Sequence, residues 1–253
     1  PTLSDIIAIV SKDEELTRKC QAKGAQGINL SGICCTANEI MMRHGIPLAG
    51  SYMQQELALM TGVVDMMVVD VQCVWPGLER TAKCFHTKLV TTSPKAKMPG
   101  FDHIEFHEDK AVEIAKQILE TAIDNYPNRN GKQFIPDVST GMVAGFTTES
   151  VFQFLGGKYR STYRPLNDAV IAGRLRGAAG VVGCSNPNVD FEEGHLKMVK
   201  ELLANDVLVV STGCNAITCG KHDLLQPEAA FNYSGKGLQE VCQAVGIPPV
   251  LHL

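Results

Sequence analysis

The sequence predicts an α/β fold in which parallel sheets are covered by helices on both faces. Three observations point there. Short apolar runs of strand length alternate with segments of helical periodicity along the whole chain. Four cysteines, Cys35, Cys73, Cys184 and Cys214, each fall just beyond one of these runs, at the edge where ligands gather in such sheets. The 253 residues, 45% apolar and 20% charged, suffice for one large or two smaller domains with a substantial core.

Taken in order, residues 4–10 and 14–23 have the pattern of two short amphipathic helices. The apolar run 27–30 reads as a buried strand. Thr36 and Glu39 form a T-x-x-E capping box that opens a helix running to His44. Cys35 is therefore expected just before a helix N-terminus, where free N–H groups and the positive dipole end favour a thiolate. Residues 45–50 form an extended piece with turn signals, and 53–60 are helical. Residues 66–71 are a strand followed at once by Gln72 and Cys73. Pro76 suits the first turn of a helix carrying Leu78 and Cys84. Residues 88–92 are strand-like, and 93–100 form a loop rich in Pro and Lys. The clearest helix is 108–126, with Ala111, Ala115, Ile118 and Ala122 on one face and acidic residues at its start. The Pro127–Gly131 stretch then breaks the pattern. It divides the chain into a first domain, 1–128, and a second, 129–253.

The second half follows the same logic without sequence repetition. Helices are expected at 166–175, 195–204 and 237–245. Strands are expected at 179–183, ended by Cys184, at 207–210, followed by Thr212-Gly213-Cys214-Asn215, and at 249–253.

The net charge of −4 gives no reason to expect nucleic acid or an anionic membrane as partner. No apolar run approaches the roughly 18 residues of a transmembrane helix, and no signal peptide opens the chain. A cytoplasmic location is the default expectation. The chain starts at Pro1 and stops at Leu253 as a strand ends, which suggests a piece of a longer protein.

Nine cysteines is a high number without a secretory signal, and an odd one. In a reducing compartment it points to metal or redox chemistry rather than a disulfide framework. Four thiolates from four strand-end loops can bind one site, and thiolate selects Fe–S clusters, zinc or nickel. No C-x-x-C is present, so zinc ribbons and the common ferredoxin spacings match poorly. The alternative is that these cysteines pack as small hydrophobes. For Cys20, Cys84 and Cys242, placed within helices, packing outweighs ligation. Cys34 and Cys219 neighbour the ligand candidates and could substitute for them. His86 could relay protons, but a hydrogen-bonded structural role fits it better. His44, His103, His107, His195 and His222 carry no motif. No dinucleotide fingerprint, P-loop or zincin motif occurs.

Four segments together resemble a known family. They are Gly32-Ile33-Cys34-Cys35-Thr36-Ala37-Asn38-Glu39, Val68-Val69-Asp70-Val71-Gln72-Cys73, Gly183-Cys184-Ser185-Asn186-Pro187 and Thr212-Gly213-Cys214-Asn215-Ala216. In this order they look like the nickel-dependent carbon monoxide dehydrogenases of anaerobes. His86-Thr87-Lys88 and Gly246-Ile247-Pro248-Pro249-Val250-Leu251-His252 are similar too, and the resemblance runs from end to end.

The resemblance implies two Rossmann-like parallel-sheet domains of the hybrid-cluster/CO dehydrogenase type, as a fragment of a larger chain. It implies an oxidoreductase in which a Ni–Fe–S cluster interconverts CO plus water with CO2, two protons and two electrons. Cys35 would hold the iron outside the cubane, and Cys73, Cys184 and Cys214 the other three irons. The histidine beside Cys35 and the nickel-binding cysteine would lie outside these residues, as would the acid–base groups and further 4Fe–4S clusters. The fragment alone is therefore expected to be inactive. The implied partners are a second copy of the full-length chain, a ferredoxin-type electron acceptor and, as an optional associate, acetyl-CoA synthase. Two other readings stay open: a hybrid-cluster protein reducing hydroxylamine, which uses more carboxylate ligation, and a non-enzymatic Fe–S scaffold or electron carrier.

Overall fold

The computed structural model describes residues 2–131, 133–138, 140–156 and 162–253. The architecture is α/β with parallel sheets, in two compact units. The first comprises Pro1–Ile40 and Tyr52–Asp137, the second Met41–Ser51 and Val138–Leu253.

In the first unit, α1 (Thr2–Val10) and α2 (Glu14–Ala22) are joined by Asp13. The Asp13 carboxylate accepts from the backbone N–H of Glu15 and Leu16 and so caps α2. Strand β1 (Gly32–Ile33) leads into α3 (Cys34–His44), whose last four residues belong, with the following β2 (Leu48–Gly50), to the second unit. Helix α4 (Gln55–Met60) precedes β3 (Met66–Val69), and α5 (Leu78–Ala82) precedes β4 (Lys88–Thr91) and β5 (Asp102–His103). Strands β3, β4 and β5 form a parallel sheet in that order, with Met66 opposite Lys88 and Val90 opposite Asp102. Helix α6 (Ala111–Asn125) packs Ala115, Leu119 and Ile123 against Val10, Leu16 and Cys20. A second small core joins Leu59, Leu78, Ala82 and Leu89.

Several local expectations change here. The run 27–30 forms no strand, and only the two residues of β1 are extended partners. The capping box is not used as a cap. A left-handed backbone at Cys34, with φ of 61°, turns the chain into α3 earlier, so Thr36 and Glu39 lie inside the helix. Gly32 permits that turn, because a Cβ there would come 2.3 Å from the Ala37 Cα. Helix α5 stops at Ala82, and Cys84 lies exposed beyond it. Strand β3 ends at Val69, leaving a short connection before Cys73.

In the second unit, α7 (Thr148–Gly156) and α8 (Arg164–Ile171) precede β6 (Gly177–Val182). Then come α9 (Glu193–Ala204), β7 (Val207–Thr212), α10 (Gly213–Lys221), α11 (Ala229–Tyr233), α12 (Lys236–Val245) and β8 (Val250–His252). Strands β6, β7 and β8 are parallel in that order. Their core includes Val199, Leu203, Leu208, Val209, Leu224, Leu238 and Val250. Gly246, with φ of 78°, ends α12 in the left-handed region that glycine adopts without strain. Helices α7, α10 and α11 have no counterpart in the sequence reading. Every residue from Gly213 to Gly220 in α10 is buried, so that helix has no polar face to reveal its period.

Candidate metal centre

Two cysteines of the first unit, Cys34 and Cys73, meet around one side chain. Cys34 is buried at 5% exposure, Cys35 is exposed in the first turn of α3, and Cys73 is half-buried. Asn38, one turn on in α3, donates to the Cys34 carbonyl at 2.9 Å. Cys73 also has a left-handed backbone, with φ of 55°. Gln55, the first residue of α4, donates through Nε2 to Cys34 Sγ at 3.9 Å and to the Cys73 carbonyl oxygen. The loops bearing Cys34–Cys35 and Cys73 are thus tied together. Cys35 sits at the positive end of α3, the setting that stabilises a thiolate.

The second unit brings Cys184 and Cys214 to one sheet edge. Val182 is opposite Thr212 in the β6–β7 register, and each cysteine lies two residues beyond its member of that pair. The Asn215 backbone N–H donates to the Gly183 carbonyl at 3.1 Å. Asn215 Nδ2 donates to the Val181 carbonyl at 2.9 Å and to Ser211 Oγ at 2.7 Å. Cys184 is exposed, and Cys214 is buried in the first turn of α10. His252 ends β8 opposite Ser211, at the same carboxyl edge. Its Nδ1 accepts from the Gly145 N–H at 3.2 Å, and burial pushes its pKa below the usual histidine value. Its edge position was not singled out from sequence, because the strand pairing that creates it joins distant segments.

The remaining candidates separate by environment. Cys20, Cys219 and Cys242 are buried inside helices. Burial pushes the Cys219 and Cys242 thiols up to about 12, and both pack within the apolar core of the second unit. Cys219 lies in that core, one turn along α10 from Cys214. His86 hydrogen-bonds Asp65 at 2.9 Å, and Arg129 holds the same carboxylate at 2.8 and 2.7 Å. This is a structural role, at the amino ends of β3 and β4.

Among the described residues, no three His, Cys, Asp or Glu side chains gather closely enough to hold a metal ion. Each unit instead offers cysteines on loops tied by a buried carboxamide, Gln55 or Asn215, whose own oxygen meets no hydrogen-bond donor among the described residues. Soft sulfur donors at strand ends and helix starts suit the irons of an Fe–S cluster, and the oxygen- and nitrogen-poor set does not suit a hard cation.

The Prismane/CO dehydrogenase family matches residues 1–253, and the chain belongs to that family. It is 50% identical over its full length to carbon monoxide dehydrogenase 1 of Methanosarcina mazei, covering 40% of that protein. All of it also matches the carbon monoxide dehydrogenase/acetyl-CoA synthase subunit beta of Moorella thermoacetica, at 41% identity and over 39% of that chain. Among solved structures, the as-isolated, Ni-free carbon monoxide dehydrogenase of Thermococcus sp. AM4 superposes with a TM-score of 0.93 at 45% identity. That superposition covers all of this chain and 39% of the other. The chain thus spans about 40% of the length of the curated relatives it matches.

Proposed function

We propose that this chain supplies part of the ligand set of a Ni–Fe–S cluster in an anaerobic carbon monoxide dehydrogenase. The reaction interconverts CO and water with CO2, two protons and two electrons. The observation that carries this reading is the recurrence of Cys35, Cys73, Cys184 and Cys214 beyond strand ends. It is supported by end-to-end similarity to carbon monoxide dehydrogenases.

When bound, such a cluster supplies Lewis-acid activation of water and a store for electrons. The chain's own residues hold and orient it. Cys35 presents its sulfur at a helix N-terminus, which favours the deprotonated ligand form. Cys214 offers a buried sulfur at the start of α10, and Cys184 an exposed one, on loops fixed by the Asn215 hydrogen bonds. The full-length protein works as a homodimer with further 4Fe–4S clusters and passes electrons to a ferredoxin-type acceptor. The subunit name of the Moorella relative makes acetyl-CoA synthase a candidate partner. Nothing in the comparisons favours the hybrid-cluster or electron-carrier alternatives.

The test is Cys35→Ala in the full-length parent, purified anaerobically. Nickel and iron content and CO-dependent dye reduction are measured. Turnover is expected to fall by orders of magnitude while the fold survives, at a cost on the order of 1 kcal/mol. Near-normal turnover would remove Cys35 from the ligand set. The double variant Cys34→Ala/Cys35→Ala then asks whether Cys34 serves instead.

A further inference from the structure

We infer that Gln55 is a positioning residue for the two cysteine-bearing turns of the first unit, an inference that rests on the ligand role proposed above. Cys34 and Cys73 both adopt left-handed backbone, with φ of 61° and 55°, where L residues are rarely found. Neither position is glycine, so each turn carries backbone strain that a contact from outside it offsets. Gln55 is 4% exposed and lies 21 residues from Cys34 and 18 from Cys73. Its amide carries two N–H donors on one nitrogen, and both are used, one on the Cys34 sulfur and one on the Cys73 carbonyl.

The Cys73 carbonyl can only accept, which settles the amide orientation: nitrogen toward the cysteines, oxygen away. In that orientation Oε1 is buried and meets no donor among the described residues. A side chain needed only to fill this space would be Leu or Met, with no orphaned oxygen to desolvate. The amide is kept for what its nitrogen does. Holding the Cys34 sulfur inward leaves Cys35, the next residue, at the exposed start of α3. Holding the Cys73 carbonyl fixes the turn from which the Cys73 sulfur projects. Ligand loops left unanchored lose metal affinity even when every ligand is present.

The experiment uses the full-length parent with Gln55→Leu, which removes both donors, and Gln55→Glu, which keeps the shape but presents only acceptors. Cys35→Ala serves as the ligand control, and Asp65→Asn as a structural control in the same unit. Four quantities are read: nickel and iron per chain, the cluster spectrum, thermal unfolding, and alkylation rates of Cys34 and Cys73 in metal-stripped protein. Both Gln55 variants are expected to lose metal affinity roughly 10- to 100-fold. Cys34 alkylation should rise several-fold, with little change in melting. Wild-type metal content and alkylation overturn the inference. So does a lower melting temperature with unchanged alkylation, which is what a space-filling role predicts. If Cys35→Ala retains its metal, the ligand reading itself fails. The tie is then visible only as Cys34 exposure, and its positioning role falls too.

Discussion

At the scale of single residues, the Asp65 carboxylate shows how much one half-buried side chain can organise. It accepts from His86 and from two guanidinium nitrogens of Arg129, while Asn125 donates to the Asp65 and His86 carbonyls at 2.7 Å each. Asp65→Ala strands a buried histidine and a half-buried arginine, so it should cost about 2 to 3 kcal/mol, read as a lower denaturant midpoint. A loss below 0.5 kcal/mol would mean that water replaces the carboxylate. A structural role for His86 was legible in sequence, but its partner Asp65, 21 residues away, and Arg129, 64 residues from Asp65, were not. His252 gives a pH effect of definite sign. Burial lowers its pKa in the folded chain below the ordinary 6.5. The unfolded chain therefore takes up a proton first as pH falls, and stability present above pH 6.5 is lost on acidification below it. His195, also lowered by burial, adds to the same slope. Melting temperatures between about pH 8 and pH 5 should show this decline, and His252→Asn should flatten it. An unchanged slope in the variant would show that His252 is not the group responsible.

At the scale of elements, the informative pair is α3 and α10. Each starts beside a strand, each has a ligand candidate in its first turn, and each begins on a left-handed residue, Cys34 in α3 and Gly213 in α10. Asn215 ties α10 to both β6 and β7. Asn215→Ala removes two side-chain hydrogen bonds and leaves the Val181 carbonyl buried without that donor. It should cost about 1 to 3 kcal/mol, seen by thermal unfolding, and loosen the Cys184 and Cys214 loops. Hydrogen exchange at residues 183–186 should accelerate, and unchanged exchange would show that the backbone bond alone suffices. Strands and amphipathic helices were visible from their periods. Helix α10 was not, because a helix buried all round carries no polar face. The start of α3 was misjudged because a capping motif is local, whereas the turn at Cys34 depends on Gly32 meeting Ala37.

At the scale of the molecule, two units each build a three-stranded parallel sheet. No helix among the described residues is long and apolar enough to cross a membrane. Because the chain spans about 40% of its relatives' length, we expect the 253 residues alone to show no CO-dependent dye reduction after anaerobic reconstitution with nickel, iron and sulfide. Turnover by this chain alone would overturn that expectation. The sequence by itself determined the α/β class, the parallel sheets and the four strand-end cysteines, because side-chain period and chain order are properties of neighbouring residues. Only the tertiary structure decided that Cys219 lies in the core, that Gln55 joins the Cys34 and Cys73 turns, and that His252 shares an edge with Cys184 and Cys214. Those facts arise from desolvation and from hydrogen bonds between segments distant in sequence, and no local pattern encodes either.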